Sequence, residues 1–156
     1  VIVDKMYDSL IADGVPIVRD VVDLGYGESI DKFMGQLGEG DLVMVFLSDK
    51  YIKSDFSMFE LYEIGRNNSM EKEKVIAKIL PVRVEEINMG PKTLKAYRNH
   101  WREKFAEWEE NLRDGGTSEY ELMRFNRVKR IQQNLGNLLG WVGDINARKL
   151  KLLEEN

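Results

Sequence analysis

The chain contains no cysteine, which excludes disulfides, thiolate metal ligands and thiol nucleophiles and is compatible with a reducing cytoplasm. It has one histidine, His100. A His/Cys metal site is therefore not expected, while carboxylates alone could still bind a hard cation. His100 has no serine–acid constellation beside it that would make it a general base. No apolar run approaches the length of a membrane span, and no signal-peptide pattern opens the sequence. Basic excess is also missing: the net charge is −4, so neither nucleic acid nor an anionic membrane is an expected partner. What is present is an ordinary globular composition over 156 residues, 43% hydrophobic and 32% charged. That is enough for one compact domain with a real core.

Only three prolines occur, and each marks a position. Pro16 places the short strand Val15–Arg19 at a sheet edge, Pro81 makes one side of the strand Ile79–Val84 doubtful, and Pro91 opens a long helix. Before Pro16, Val1–Asp13 reads as a helix capped by Gly14. Gly25 and Gly27 mark Val21–Ser29 as a loop, and Ile30–Leu37 as the next helix. Leu42–Leu47 (LVMVFL) is continuously apolar, the pattern of a parallel strand covered on both faces. Ser48–Asp55 reads as a loop, Phe56–Arg66 as a helix, and Asn67–Lys74 as a polar, mobile connection.

From Pro91 the period changes. Leu94, Tyr97, Trp101, Phe105, Trp108 and Leu112 recur at helical spacing, and the aromatics among them read as a core-facing stripe. After the Asp114–Ser118 break, Leu122, Phe125, Val128, Ile131, Leu135, Leu138, Val142 and Ile145 predict one second long helix. The two form a helical hairpin packed on an α/β part. Arg127, Lys129 and Arg130 read as its solvated face.

At about 100° per residue, Met58, Leu61 and Ile64 share one stripe, with Phe56, Glu60 and Glu63 roughly opposite and Phe59 beside them. Two readings follow. Glu60 is a solvated carboxylate with Phe56 as a satellite of the core, or the ring flanks a planar ligand while the carboxylate addresses its sugar hydroxyls.

The run Ser48–Leu61, SDKYIKSDFSMFEL, with its Ser-x-x-Tyr-x-x-Ser loop and aromatic-x-x-x-Glu-Leu helix, resembles the TIR (Toll/interleukin-1 receptor) domain. Arg19–Ile30, RDVVDLGYGESI, resembles that family's loop after the second strand, and Gly140-Trp141 is similar to the aromatic box of its last helix. The resemblance implies an α/β, flavodoxin-like fold with a parallel sheet flanked by helices, here followed by the helical hairpin. Residues 1–156 form a single domain on this reading. Residues 1–85 are its α/β core, without an evident first strand, and residues 91–156 its long helices.

In enzymes of the family the matching glutamate carries cleavage of NAD+, which implies a catalytic Glu60. Phe56, which stands where many catalytic members have tryptophan, Ser48 and Asp20 are the implied substrate contacts. Asp23, Gly25, Tyr26 and Gly27 belong to the implied assembly loop. The implied activity is release of nicotinamide from NAD+ as substrate, with no cofactor and no metal, by a cytoplasmic protein that self-associates in bacterial defence signalling. The alternative is a non-catalytic module that signals by homotypic contacts. A phosphoacceptor receiver of similar topology needs an aspartate at the end of the central strand, where Ser48 precedes Asp49.

Overall fold

The computed structural model describes residues 42–154 together with Asp8 and Ala12, both in helical backbone. The helix expected at Val1–Asp13, the strand at Val15–Arg19, the loop 21–29 and the helix at Ile30–Leu37 fall, those two positions aside, outside the described residues. The chain divides into two compact units, Val1–Leu37 and Gly38–Asn156; the second is described below.

It opens with β1 (Val43–Leu47), followed by the short helices α1 (Asp49–Ile52), α2 (Asp55–Asn67) and α3 (Lys72–Ala77). β2 (Ile79–Arg83) then pairs in parallel with β1, from Val43 opposite Ile79 to Leu47 opposite Arg83. Helices between two parallel strands make a crossover unit, so this is a parallel sheet flanked by helices, as expected. Pro81 lies within the ladder opposite Val45; it withholds one donor without ending the strand. Val45 and Leu47 are buried, while Met44 and Phe46 are half-buried, so both faces of β1 are at least partly covered.

α2 is held down by the stripe read from the sequence: Met58, Leu61 and Ile64 are all buried. Gly65 is needed beside them, because a Cβ there would collide with the Trp141 indole. The Gly140-Trp141 pair thus has a packing role through Trp141, which is buried.

The supposed loop 48–55 contains a helical turn, α1. The Ser48 side chain accepts the Tyr51 N–H at 3.0 Å and so caps it. The segment 67–74 is also ordered. Ser69 and Met70 turn through positive φ (57° and 56°), and Met70 N–H bonds the Gly65 carbonyl at 2.8 Å. α3 then buries Val75 and Ile76.

α4 (Pro91–Arg113) is the expected aromatic helix. Tyr97 and Trp101 are buried, and the Trp101 indole N–H donates to the Ile52 carbonyl at 3.1 Å. Phe105 stacks on Phe125 with centroids 5.8 Å apart. The predicted second long helix is two helices, α5 (Glu119–Gln133) and α6 (Leu135–Glu154). Asn134 separates them. Its N–H bonds back to the Arg130 and Ile131 carbonyls, and its own carbonyl accepts the Leu138 N–H. The apolar period runs unbroken through the junction, since Val128, Ile131, Leu135, Leu138, Val142 and Ile145 are all buried.

Candidate active site

The carboxyl end of β1 leads directly into the helices that carry the candidate residues. Ser48 is half-buried, and its oxygen is committed to capping α1. The next residue, Asp49, accepts the Tyr97 hydroxyl at 2.9 Å and pairs with Lys53 at 3.1 Å. Burial pushes the Asp49 carboxyl up, but these two partners outweigh it and hold the group below the usual carboxylate range. Ser54 caps α2 by accepting the Ser57 N–H at 3.2 Å. Asp55, the first residue of α2, accepts the Phe56 N–H at 2.9 Å.

One turn separates Phe56 from Glu60, and both side chains are half-buried. They lie off the Met58–Leu61–Ile64 stripe that anchors the helix, so the aromatic and the carboxylate stand at the margin of the core. The rest of the face differs from expectation. Glu63, expected roughly opposite the apolar stripe, is 4% exposed. Arg66, one turn later, holds it through Nη2 at 2.5 Å and Nε at 3.1 Å. Phe59 is buried too, and the Arg127 guanidinium lies 5.4 Å from its ring centroid. Arg127 is therefore part of the packing, whereas Lys129 and Arg130 are exposed as expected.

Sequence reasoning gave no role to Tyr51. Its hydroxyl is buried and, among the described residues, has no hydrogen-bond partner. Burial pushes the phenol well above its ordinary range, and the Glu60 charge adds to that. The Ser-x-x-Tyr-x-x-Ser spacing singled the residue out, but no local signal could show its hydroxyl buried. His100 touches the Lys53 carbonyl at 3.2 Å and meets Trp101 edge to face, a packing position. Asp20, Asp23, Gly25, Tyr26 and Gly27 lie outside the described residues.

A family model described as the TIR domain matches residues 1–114. The chain belongs to the TIR domain family. No curated protein and no solved structure matches it.

The TIR match ends at Asp114, just after α4, so α5 and α6 lie beyond it. α5 nevertheless packs on the helix that carries Glu60. Arg124 donates to Asp55 at 2.7 Å and to the Tyr120 hydroxyl at 2.7 Å, and its guanidinium lies 5.0 Å from the Trp108 ring centroid. Asp55 thus joins the first turn of α2 to a helix outside the family match. Among the described residues no helix is long and apolar enough to cross a membrane.

Proposed function

We propose that this TIR domain cleaves the nicotinamide–ribose bond of NAD+, acting in bacterial defence signalling. The observation that carries the reading is the placement of Glu60 and Phe56. They are one turn apart, half-buried, on a helix anchored by its opposite stripe at the carboxyl end of a parallel strand. Open α/β sheets bind ligands at that edge. In the reaction the C1′–N bond breaks and its electron pair leaves with neutral nicotinamide, so positive charge develops on the ribose. An ionised carboxylate in a poorly hydrated cleft stabilises that charge and accepts hydrogen bonds from the ribose hydroxyls. Attack by water at C1′, with loss of a proton, gives ADP-ribose; attack by a nucleophile of the same molecule gives a cyclic product. Glu60 fits the carboxylate role and Phe56 that of a face for a planar ring. Ser48, whose oxygen already accepts the cap bond, would contribute its hydroxyl hydrogen. Asp20 is the further substrate contact implied by resemblance, and the 21–29 loop the self-association element.

The test is nicotinamide release from NAD+ by concentrated protein under conditions that promote assembly. Glu60→Gln keeps the shape of the side chain and should abolish release with folding intact. Glu73→Gln, an exposed carboxylate on α3, is the control and should leave release unchanged. Glu63 is unsuitable for that purpose because it is buried against Arg66. A folded, assembled wild type that releases no nicotinamide would favour the homotypic interaction module.

A further inference from the structure

Two arginines of α5, Arg124 and Arg127, reach across to α2, and both are half-buried. Arg124 donates through Nε to Asp55 Oδ2 at 2.7 Å, and the other oxygen of that carboxylate, Oδ1, accepts the Phe56 N–H at 2.9 Å. Arg127 lies over the ring of Phe59, its guanidinium carbon 5.4 Å from the centroid. Asp55 precedes Phe56 and Phe59 precedes Glu60, so each arginine grips the residue just before one of the two candidate site residues. A grip on one residue fixes the direction of the next, since neighbours on a helix point about 100° apart.

α5 is itself well fixed. Ser118 caps it by accepting the Glu121 N–H at 3.2 Å, Val128 and Ile131 are buried, and Phe125 stacks on Phe105 of α4. Arg124 is held from two directions, by the Tyr120 hydroxyl at 2.7 Å and by the Trp108 ring, whose centroid is 5.0 Å away. The stripe Met58–Leu61–Ile64 anchors α2 from another side, but hydrophobic burial is non-directional and fixes the rotation of a helix less sharply. A hydrogen-bonded ion pair and a stacked guanidinium are directional. The angle matters: side-chain ends lie about 5–6 Å from a helix axis, so a turn of about 10° shifts them by about 1 Å. Such a misplacement can cost about a hundredfold in rate.

We infer that Arg124 and Arg127 are positioning residues: from α5 they clamp α2 at Asp55 and Phe59, and so set the angle at which Phe56 and Glu60 meet the dinucleotide. The inference rests on the NAD-cleaving reading of Glu60 and Phe56, and adds what holds them in place. It also extends the working unit, since both arginines lie beyond residues 1–114 of the TIR match. The two contacts have different consequences. Phe56, as a face for a planar ring, contributes binding, so loosening it through Arg124 raises KM. Glu60 meets charge that develops only during the reaction, so loosening it through Arg127 lowers kcat.

The experiment measures nicotinamide release from NAD+ by Arg124→Met, Arg127→Met and Val75→Ala under assembly-promoting conditions, below the melting temperature of each. Val75→Ala removes buried volume on α3 and is the control for lost stability alone. All three should melt below wild type. Arg124→Met should raise KM about tenfold with kcat nearly unchanged, and Arg127→Met should lower kcat about tenfold with KM nearly unchanged. Val75→Ala should leave both constants as in wild type. Arg124→Lys and Arg127→Lys keep the charge but lose the planar fork, and should show the same two signatures more weakly; each replaces a methionine variant that does not fold. Constants in the arginine variants no different from those of Val75→Ala overturn the inference. So do lysine variants that also fail to fold, because the arginines then serve stability only. A shift at one arginine alone overturns the inference for the other. A folded, assembled wild type that releases no nicotinamide overturns the NAD-cleaving reading first and this inference with it.

Discussion

The segment from β1 to α2 and the three helices α4–α6 are built in opposite ways. The first is a set of short pieces, each closed by a side chain: Ser48 caps a four-residue helix and Ser54 a thirteen-residue one. None of these would be stable alone, and they persist because Met58, Leu61, Ile52 and Leu47 are buried. The second is long helix, with α4 running 23 residues and carrying intrahelical pairs such as Arg113–Glu109 at 2.7 Å. Such surface pairs contribute little individually. The chemistry thus sits on the part that depends most on tertiary contact. Damage to the few points where the long helices grip the short pieces should reach the candidate site, and damage to the exposed helix faces should not.

The strongest way to break this arrangement is Trp101→Ala. The side chain is 1% exposed, and its indole N–H satisfies the last carbonyl of α1. Its removal opens a large cavity and strands that carbonyl, so a loss of about 3–5 kcal/mol is expected by urea denaturation. Trp101→Phe keeps much of the volume and should cost about 1–3 kcal/mol, isolating the unpaired carbonyl. If Trp101→Ala costs no more than an exposed-face change such as Glu107→Ala, the two regions are not coupled as described.

Arg124→Met comes next. Arg124 and Asp55 have side chains 30% and 23% exposed, so their attraction is only partly screened, and Arg124 also lies against two aromatic rings. The expected loss is about 1–2 kcal/mol after allowance for that screening. A double-mutant cycle with Asp55→Asn should show a coupling of about 1 kcal/mol. Additive effects would mean that α5 does not hold the first turn of α2 through this pair.

The same contrast explains what could be read from the sequence. LVMVFL and the Met58–Leu61–Ile64 stripe were legible because burial imposes a period over enough residues to count. α1 and α3 were not, because four and six residues are too few to display a period. The break at Asn134 was hidden for the opposite reason: the buried positions keep helical spacing across it, and only backbone hydrogen bonds mark the end of one helix. In the candidate site, the helix that carries Phe56 and Glu60, and their position off its apolar stripe, were legible. A wheel gave Glu63 the same environment as Glu60, yet Glu63 is buried against Arg66. What covers a helix face is a tertiary fact, as is the meeting of Phe59 with Arg127.

The smallest effect concerns the bond that joins α4 to the start of α1, from the Tyr97 hydroxyl to Asp49. The Asp49 carboxyl, raised by burial but lowered more by Tyr97 and Lys53, titrates below its ordinary range. A group whose pKa is depressed on folding contributes stability above its unfolded value, about 3.9, and loses it as pH falls through the folded one. Tyr97 works at the other end. Burial, followed by the bond to Asp49, raises its phenol above the ordinary range. Its contribution is full below an unfolded value of about 10 and is lost as pH rises through the folded one. Asp49→Asn should therefore flatten part of the acid limb of a melting-temperature profile, and Tyr97→Phe part of the alkaline limb. The alkaline limb should not vanish in Tyr97→Phe, because the buried Tyr51 phenol is raised as well. Both changes should be small, since the Asp49 side chain is 53% exposed and water replaces much of what is lost. An acid limb that is identical in wild type and Asp49→Asn would show that this bond does not couple the long helices to the short ones.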